Sequence, residues 1–128
     1  MPLTRKQRTV QEATTATYTA TLKDDAGVVI PSADLTTLTL TLYNEKTDAV
    51  INSRTAQDVL GVNGGTVHAT SGLLTQVFAP ADNPIIDTAL EHGRTEVHIA
   101  QFDFTWNAGA KAGRKMITIE VVQNLKTT

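Results

Sequence analysis

The chain has 128 residues, no cysteine and a formal net charge of −2, so its length suits one domain with a core that needs no disulfide staples. The missing cysteines exclude a thiolate zinc site and a thiol nucleophile. The missing basic excess argues against generic attraction to nucleic acid or an anionic membrane.

Residues Met1 to Ala13 mix charge, glutamine and threonine without a period. They read as an arm (residues 1–13) that is flexible or ordered only against a partner, with the domain proper at residues 14–128. No apolar run follows Arg5-Lys6-Gln7-Arg8, so neither a signal peptide nor a membrane span is expected. A first strand is predicted over Thr15 to Lys23. It ends at Asp24-Asp25-Ala26-Gly27, where two carboxylate side chains and a glycine supply turn chemistry. Val28-Val29-Ile30 is a short return stopped by Pro31.

Leu38-Thr39-Leu40-Thr41-Leu42-Tyr43 alternates strictly between apolar and polar, which fits a half-buried strand and fits a helix poorly. Each buried leucine contributes about 1.5–3 kcal/mol, while the threonines face water or a neighbouring strand. Asn44 to Asp48 is a polar loop into Ala49 to Asn52, and these two strands are expected to pair. Ser53 to Leu60 breaks the alternation; Ser53 is placed to cap a short helical turn carrying Ala56, Val59 and Leu60. Strands are predicted again at Thr66 to Thr70 and Leu73 to Phe78 around Ser71-Gly72. Residues Ile85 to Gly93 fit an irregular crossing and a short helix equally.

Arg94 to Trp106 reads as a long strand with His98, Ala100, Phe102, Phe104 and Trp106 on one side and Val97 and Ile99 on the other. The Gly-rich stretch Asn107 to Gly113 turns it into a return strand, Arg114 to Gln123, with Ile117, Ile119 and Val121 inward. Threonine is about one residue in six, and its branching favours pleated surfaces open on one side. About seven short strands with turns every 8–12 residues indicate an all-β fold. The expected form is an immunoglobulin-like antiparallel β-sandwich with a flexible N-terminal arm; a closed barrel is the second choice.

The chemistry-bearing residues are sparse. His68, His92 and His98 are the three imidazoles, and none sits at the tight spacing of a zinc site. A His68/His98 pair across strands is the remaining metal option, and a strand histidine bonded to backbone or at the core's edge is the plainer reading. His98 and Asp103 are five positions apart on one predicted strand, hence on opposite faces, which opposes a Ser-His-Asp arrangement. Asp24-Asp25 and Asp82-Asn83 lack the dense oxygen spacing of a calcium loop and read as turn caps. Gly61, Gly64, Gly65 and Gly72 lack the helix and Lys-Ser/Thr ending of a phosphate cradle. The basic clusters Arg5-Lys6-Arg8 and Lys111-Arg114-Lys115 lack interleaved aromatics. Phe102, Phe104 and Trp106 are either a sugar platform or core, and their two-residue spacing favours core.

With the strands placed, certain stretches form a pattern: Tyr18-Thr19-Ala20-Thr21-Leu22-Lys23-Asp24-Asp25-Ala26-Gly27, Leu38 to Tyr43, Ile51-Asn52-Ser53-Arg54, Pro80-Ala81-Asp82-Asn83-Pro84 and the closing Gly113-Arg114-Lys115 strand. The pattern, over Tyr18 to Leu125, resembles small tailed-bacteriophage virion proteins with an immunoglobulin-like sandwich. It resembles more loosely the immunoglobulin-like domain of phage baseplate upper proteins. The resemblance implies a non-enzymatic structural component that decorates the capsid, joins head to tail, or builds tail or baseplate. It implies partners among other virion proteins and copies of itself, no cofactor or small-molecule substrate, and a place in the virion after assembly in the host bacterial cytoplasm. No catalytic motif transfers. The candidate assembly contacts are Leu3, Arg5, Lys6, Arg8 and Val10, where two apolar side chains flank the basic cluster of the arm. A carbohydrate-binding or adhesin-like sandwich is the alternative and requires an exposed aromatic cleft; a hydrolase requires converging polar groups.

Overall fold

The computed structural model describes residues 5–86 and 95–122, and for residues 5–8 the backbone alone. Among these residues eight strands form two sheets: β1 (Arg5–Gln11), β2 (Ala16–Thr21), β3 (Leu35–Asn44), β4 (Gln57–Asp58), β5 (Gly65–Val67), β6 (Leu73–Phe78), β7 (Thr95–Trp106) and β8 (Lys111–Val122). Two short 3₁₀ turns, Ser32–Asp34 and Pro80–Asp82, are the helical elements among the described residues, where no helix is long and apolar enough to cross a membrane.

One sheet has the order β1-β8-β7-β3-β4 and the other β2-β6-β5. Leaving β1 aside, the third, sixth and seventh strands of an immunoglobulin sandwich (here β3, β7 and β8) share one sheet. The second, fifth and fourth (β2, β6 and β5) share the other, and β4 takes the added edge position of the variable type. The fold is therefore an immunoglobulin-like β-sandwich.

The alternation read in the sequence is the alternation that packs. Leu38, Leu40 and Leu42 are fully buried, as are Ala100 and Phe102 on β7 and Ile119 and Val121 on β8. They meet Tyr18, Leu22, Leu74 and Phe78 of the opposite layer in one core. Phe104 lies opposite Gly113 across the β7–β8 ladder. A Cβ at Gly113 would stand 2.7 Å from the Phe104 ring, so the glycine leaves the aromatic face its room. The β7–β8 turn places Asn107 and Ala108 at φ 54 and Gly109 at φ 87.

Three expectations need correction. Within the segment assigned to the arm, Arg5–Gln11 is an edge strand, pairing in parallel with Met116–Val122. Backbone hydrogen bonds along β8 and the burial of Val10 (8% exposed) hold it there, so the sandwich takes in residues 5–11 ahead of Thr14. No helical turn forms after Ser53. Asn52, Ser53 and Ala56 have φ of 52, 56 and 44, and Gln57–Asp58 extends along Thr39–Leu40 as β4. Finally, the hairpin after Tyr43 narrows to an isolated bridge, Tyr43 with Val50, flanked by the Ile51 N–H donating to Leu42 O at 2.9 Å.

Candidate functional site: a polar clasp at one end of the sandwich

Among the described residues the buried charged groups Arg54 and Asp82 and the buried pair Glu96 and His98 gather at the end where β3 and β8 finish and β7 begins. Pro80–Asp82 is a 3₁₀ turn begun by proline, whose fixed φ suits the first helical position. It turns Asp82 into the interior at 0% exposure. The Asp82 carboxylate accepts four bonds: Arg54 Nε at 2.6 Å, Arg54 Nη2 at 3.0 Å, Asn52 Nδ2 at 2.8 Å and the Ala79 N–H at 2.8 Å. Burial pushes this carboxyl upward, but the bonds from Arg54, Asn52 and Ala79 with the guanidinium's charge outweigh it and hold it below its usual value.

Arg54 is consumed in the same network. Its Nη1 donates to Gln57 Oε1 (2.7 Å) and to Asn63 O (3.2 Å), and its guanidinium carbon lies 5.8 Å from the Phe78 ring centroid. Gln76, fully buried on β6, also donates to Asn63 O, at 3.0 Å. Its amide lies where Cβ atoms on Gly64 and Gly65 would stand, within 2.9 Å in both cases. The next residue of the clasp, Asn83, accepts the Ala13 N–H on its carbonyl (2.7 Å) and donates its Nδ2 to Thr14 O (2.8 Å). Pro80–Asn83 thus ties the β3–β4 connection and the β1–β2 corner to the end of β6.

A second buried pair stands at the start of β7. Glu96 and His98 are two residues apart and on the same face, at 5% and 0% exposure, with His98 Nε2 and Glu96 Oε2 at 2.5 Å. Both Glu96 oxygens accept the Ile86 N–H, each at 3.1 Å, so the pair also grips the β6–β7 connection. Burial lowers the His98 pKa, and the carboxylate of Glu96 raises it by less, so the ring stays neutral over a wider range than a solvated histidine. Its Nδ1 is buried with no hydrogen-bond partner among the described residues.

The remaining candidates part company. His68 is exposed and its Nδ1 accepts the Thr70 and Ser71 N–H groups at 3.2 Å, a turn cap. It does not meet His98, and His92 lies outside the described residues. Asp103 faces out and pairs with Arg114 at 2.6 Å, opposite in direction to His98. Among the described residues no three His, Asp or Glu side chains come together to hold a metal ion. Asp24 Oδ1 caps the Ala26 and Val28 N–H groups at 2.9 Å. Phe102 and Phe104 are core, and Trp106, half-buried, stacks on Phe104 with centroids 5.7 Å apart. Of the arm contacts, Val10 is a core residue. The side chains of Arg5, Lys6 and Arg8, and Leu3 entirely, lie outside the described residues.

Sequence reasoning missed both acid–base pairs. Glu96-x-His98 on a strand carried a signal, since period 2 places both on the face assigned inward. Arg54 and Asp82 are 28 positions apart and carried none.

No family model matches this chain, and no curated protein does. Among solved structures it is similar to a chimeric titin Z1Z2 functionalized with a KLER exogenous peptide from decorin, at 12% identity and a TM-score of 0.37. The match covers 99% of this chain and 49% of that one. The immunoglobulin-like assignment stands on the strand order itself.

Proposed function

We propose that this chain is a non-enzymatic structural component of a tailed-bacteriophage virion, acting through contacts with other virion proteins and copies of itself. The observation that supports this reading most is where the polar chemistry goes. Asp82, Arg54 and Glu96 hold connections of the sandwich in place and His98 bonds to Glu96, which leaves strand edges and faces as the working surface. The outward side of β2 and β6 carries Thr17, Thr19, Leu73 and Val77, all exposed and uncharged, a surface suited to protein contact rather than to binding an ion or polar substrate. The resemblance of the strand and turn signatures to small phage virion proteins supplies the setting. The part of the virion, decoration, neck or baseplate, follows from the symmetry at which copies are found.

The test is mass spectrometry of purified virions from a host producing the phage that encodes this chain, followed by cryo-EM of the particle. Copies at a symmetric position, with density the size of one sandwich, are expected. Virions free of the chain would overturn the reading. The carbohydrate-binding alternative requires an exposed aromatic cleft, and the row that would build it is Phe102, Phe104 and Trp106, of which the first two are buried.

A further inference from the structure

β1 stands apart from the other strands. It pairs in parallel, where every other ladder among the described residues is antiparallel, and it closes one edge of the larger sheet. Its seven residues, RKQRTVQ, hold three of the chain's eleven basic residues and none of its thirteen acids, so a basic strand lies on an acidic body. Its seat is the half of β8 from Met116 to Val122, where Met116, Ile117, Ile119 and Val121 are all buried. A vacant seat would leave this half of β8 as a bare edge, a template for a strand of another chain.

The corner between β1 and β2 supplies the means. On its β1 side the Glu12 N–H donates to Val122 O at 3.0 Å. On its β2 side Asn83 Nδ2 donates to Thr14 O at 2.8 Å. Between them Ala13 has φ 54, a left-handed conformation disfavoured for alanine, and there the chain reverses. Extending Ala13 keeps the contacts on either side of it: those of Glu12 with a β8, and those of Thr14 with its own Asn83. It gives up the Ala13 N–H bond to Asn83 O and the Thr14 Oγ1 bond to Gln11 O, both 2.7 Å, and it relieves the left-handed alanine.

We propose that β1 is exchanged between two copies of this chain, each copy's Arg5–Gln11 docking in parallel on the other's Met116–Val122. The arrangement is isologous and closes as a two-fold dimer, because the same strand and the same seat act in both directions. This deepens the assembly reading and takes its biological setting from it. The test uses purified protein alone, so its failure leaves the virion experiment to decide that reading separately.

The chain has no cysteine, which makes cross-linking unambiguous. Thr9 and Glu120 are partners across the β1–β8 ladder, at a spacing that neighbouring strands make suitable for a disulfide. A full-length Thr9→Cys chain is incubated at high concentration with a Glu120→Cys chain of different mass and then oxidised; a disulfide joining the two different chains is expected. The Thr9→Cys/Glu120→Cys double variant, oxidised at low concentration, is expected to link within itself and remain monomeric. Sedimentation of the unmodified chain should show a dimer. Ala13→Gly, which removes the left-handed penalty, should weaken that dimer about tenfold per corner, and Ala13→Pro, whose ring forbids φ 54, should strengthen it. Self-linkage of the double variant with no linkage between the mixed single variants overturns exchange. So does a dimer insensitive to Ala13→Gly, and so does a double variant that never links.

Discussion

Arg54 and Asp82, 28 positions apart, meet through two nearly parallel hydrogen bonds of 2.6 and 3.0 Å in a setting where the carboxylate is wholly buried. The pair fixes where the β3–β4 connection lies against the end of β6, and it explains why Gln57–Asp58 runs along β3 as a strand. Because both charges are desolvated, removing one leaves the other stranded. Arg54→Met alone should therefore destabilise by about 3–5 kcal/mol, while the double variant Arg54→Met/Asp82→Leu should recover a large part of that loss. Denaturant midpoints for the two singles and the double measure the coupling. Strict additivity would mean that the contact is not made in solution.

Acid should weaken the fold in two steps with different owners. His98 has a folded pKa below its ordinary 6.5 because burial outweighs the help from Glu96. The unfolded chain thus takes up a proton first as pH falls. Stability from this residue is complete above pH 6.5 and drains away as pH falls from there toward the folded pKa. Asp82 has the depressed carboxylate pKa, so its contribution holds above 3.8 and is lost below it. Urea midpoints from pH 8 to pH 3 should show both losses, and His98→Gln should flatten the upper one. An upper step unchanged in His98→Gln would assign it to another group.

The period-2 stretches were legible because packing rewards the same periodicity that the sequence displays: Leu38, Leu40 and Leu42, and the even residues of β7, need only the alternation to be placed inward. β1 was illegible for the opposite reason. Arg5-Lys6-Gln7-Arg8 has no apolar alternation, and its pairing comes from a neighbour more than a hundred residues later. The Ser53–Leu60 segment failed because Arg54 is held by Asp82, a long-range bond that overrides a local helical pattern. Glu96-x-His98 lay within reach, since an ionisable residue on a face assigned to the core requires a buried partner.

The two faces of β3 should respond differently to the same charge. Leu40 is fully buried, so Leu40→Asp places an unpaired carboxylate in the core and should unfold the domain or cost several kcal/mol. Thr39 is half-exposed and lies between Asp58 on β4 and Asp103 on β7. Thr39→Lys should be neutral or slightly stabilising, and Thr39→Asp should cost about 0.2–1 kcal/mol through like charges directly opposite. Thermal melting of the three variants checks the ranking Lys above Asp at 39, and either above Asp at 40.

The edge strand gives the last prediction, and it reverses what a disordered arm would do. An arm without contacts can be cut away at no cost to folding. β1 covers the Met116–Val122 half of β8 and buries Val10 against Val121, its ladder partner. Deleting residues 1–11 removes that cover along the whole half-strand and should lower both the melting temperature and the denaturant midpoint clearly. Val10→Ala, which leaves the backbone ladder intact, should cost about 2 kcal/mol through lost burial and the cavity left behind. Val10→Thr keeps the shape but buries a hydroxyl and should fall between the wild type and the deletion. A deletion that melts with the full-length protein would show that β1 leaves its seat in solution, and Val10→Ala would then be silent as well.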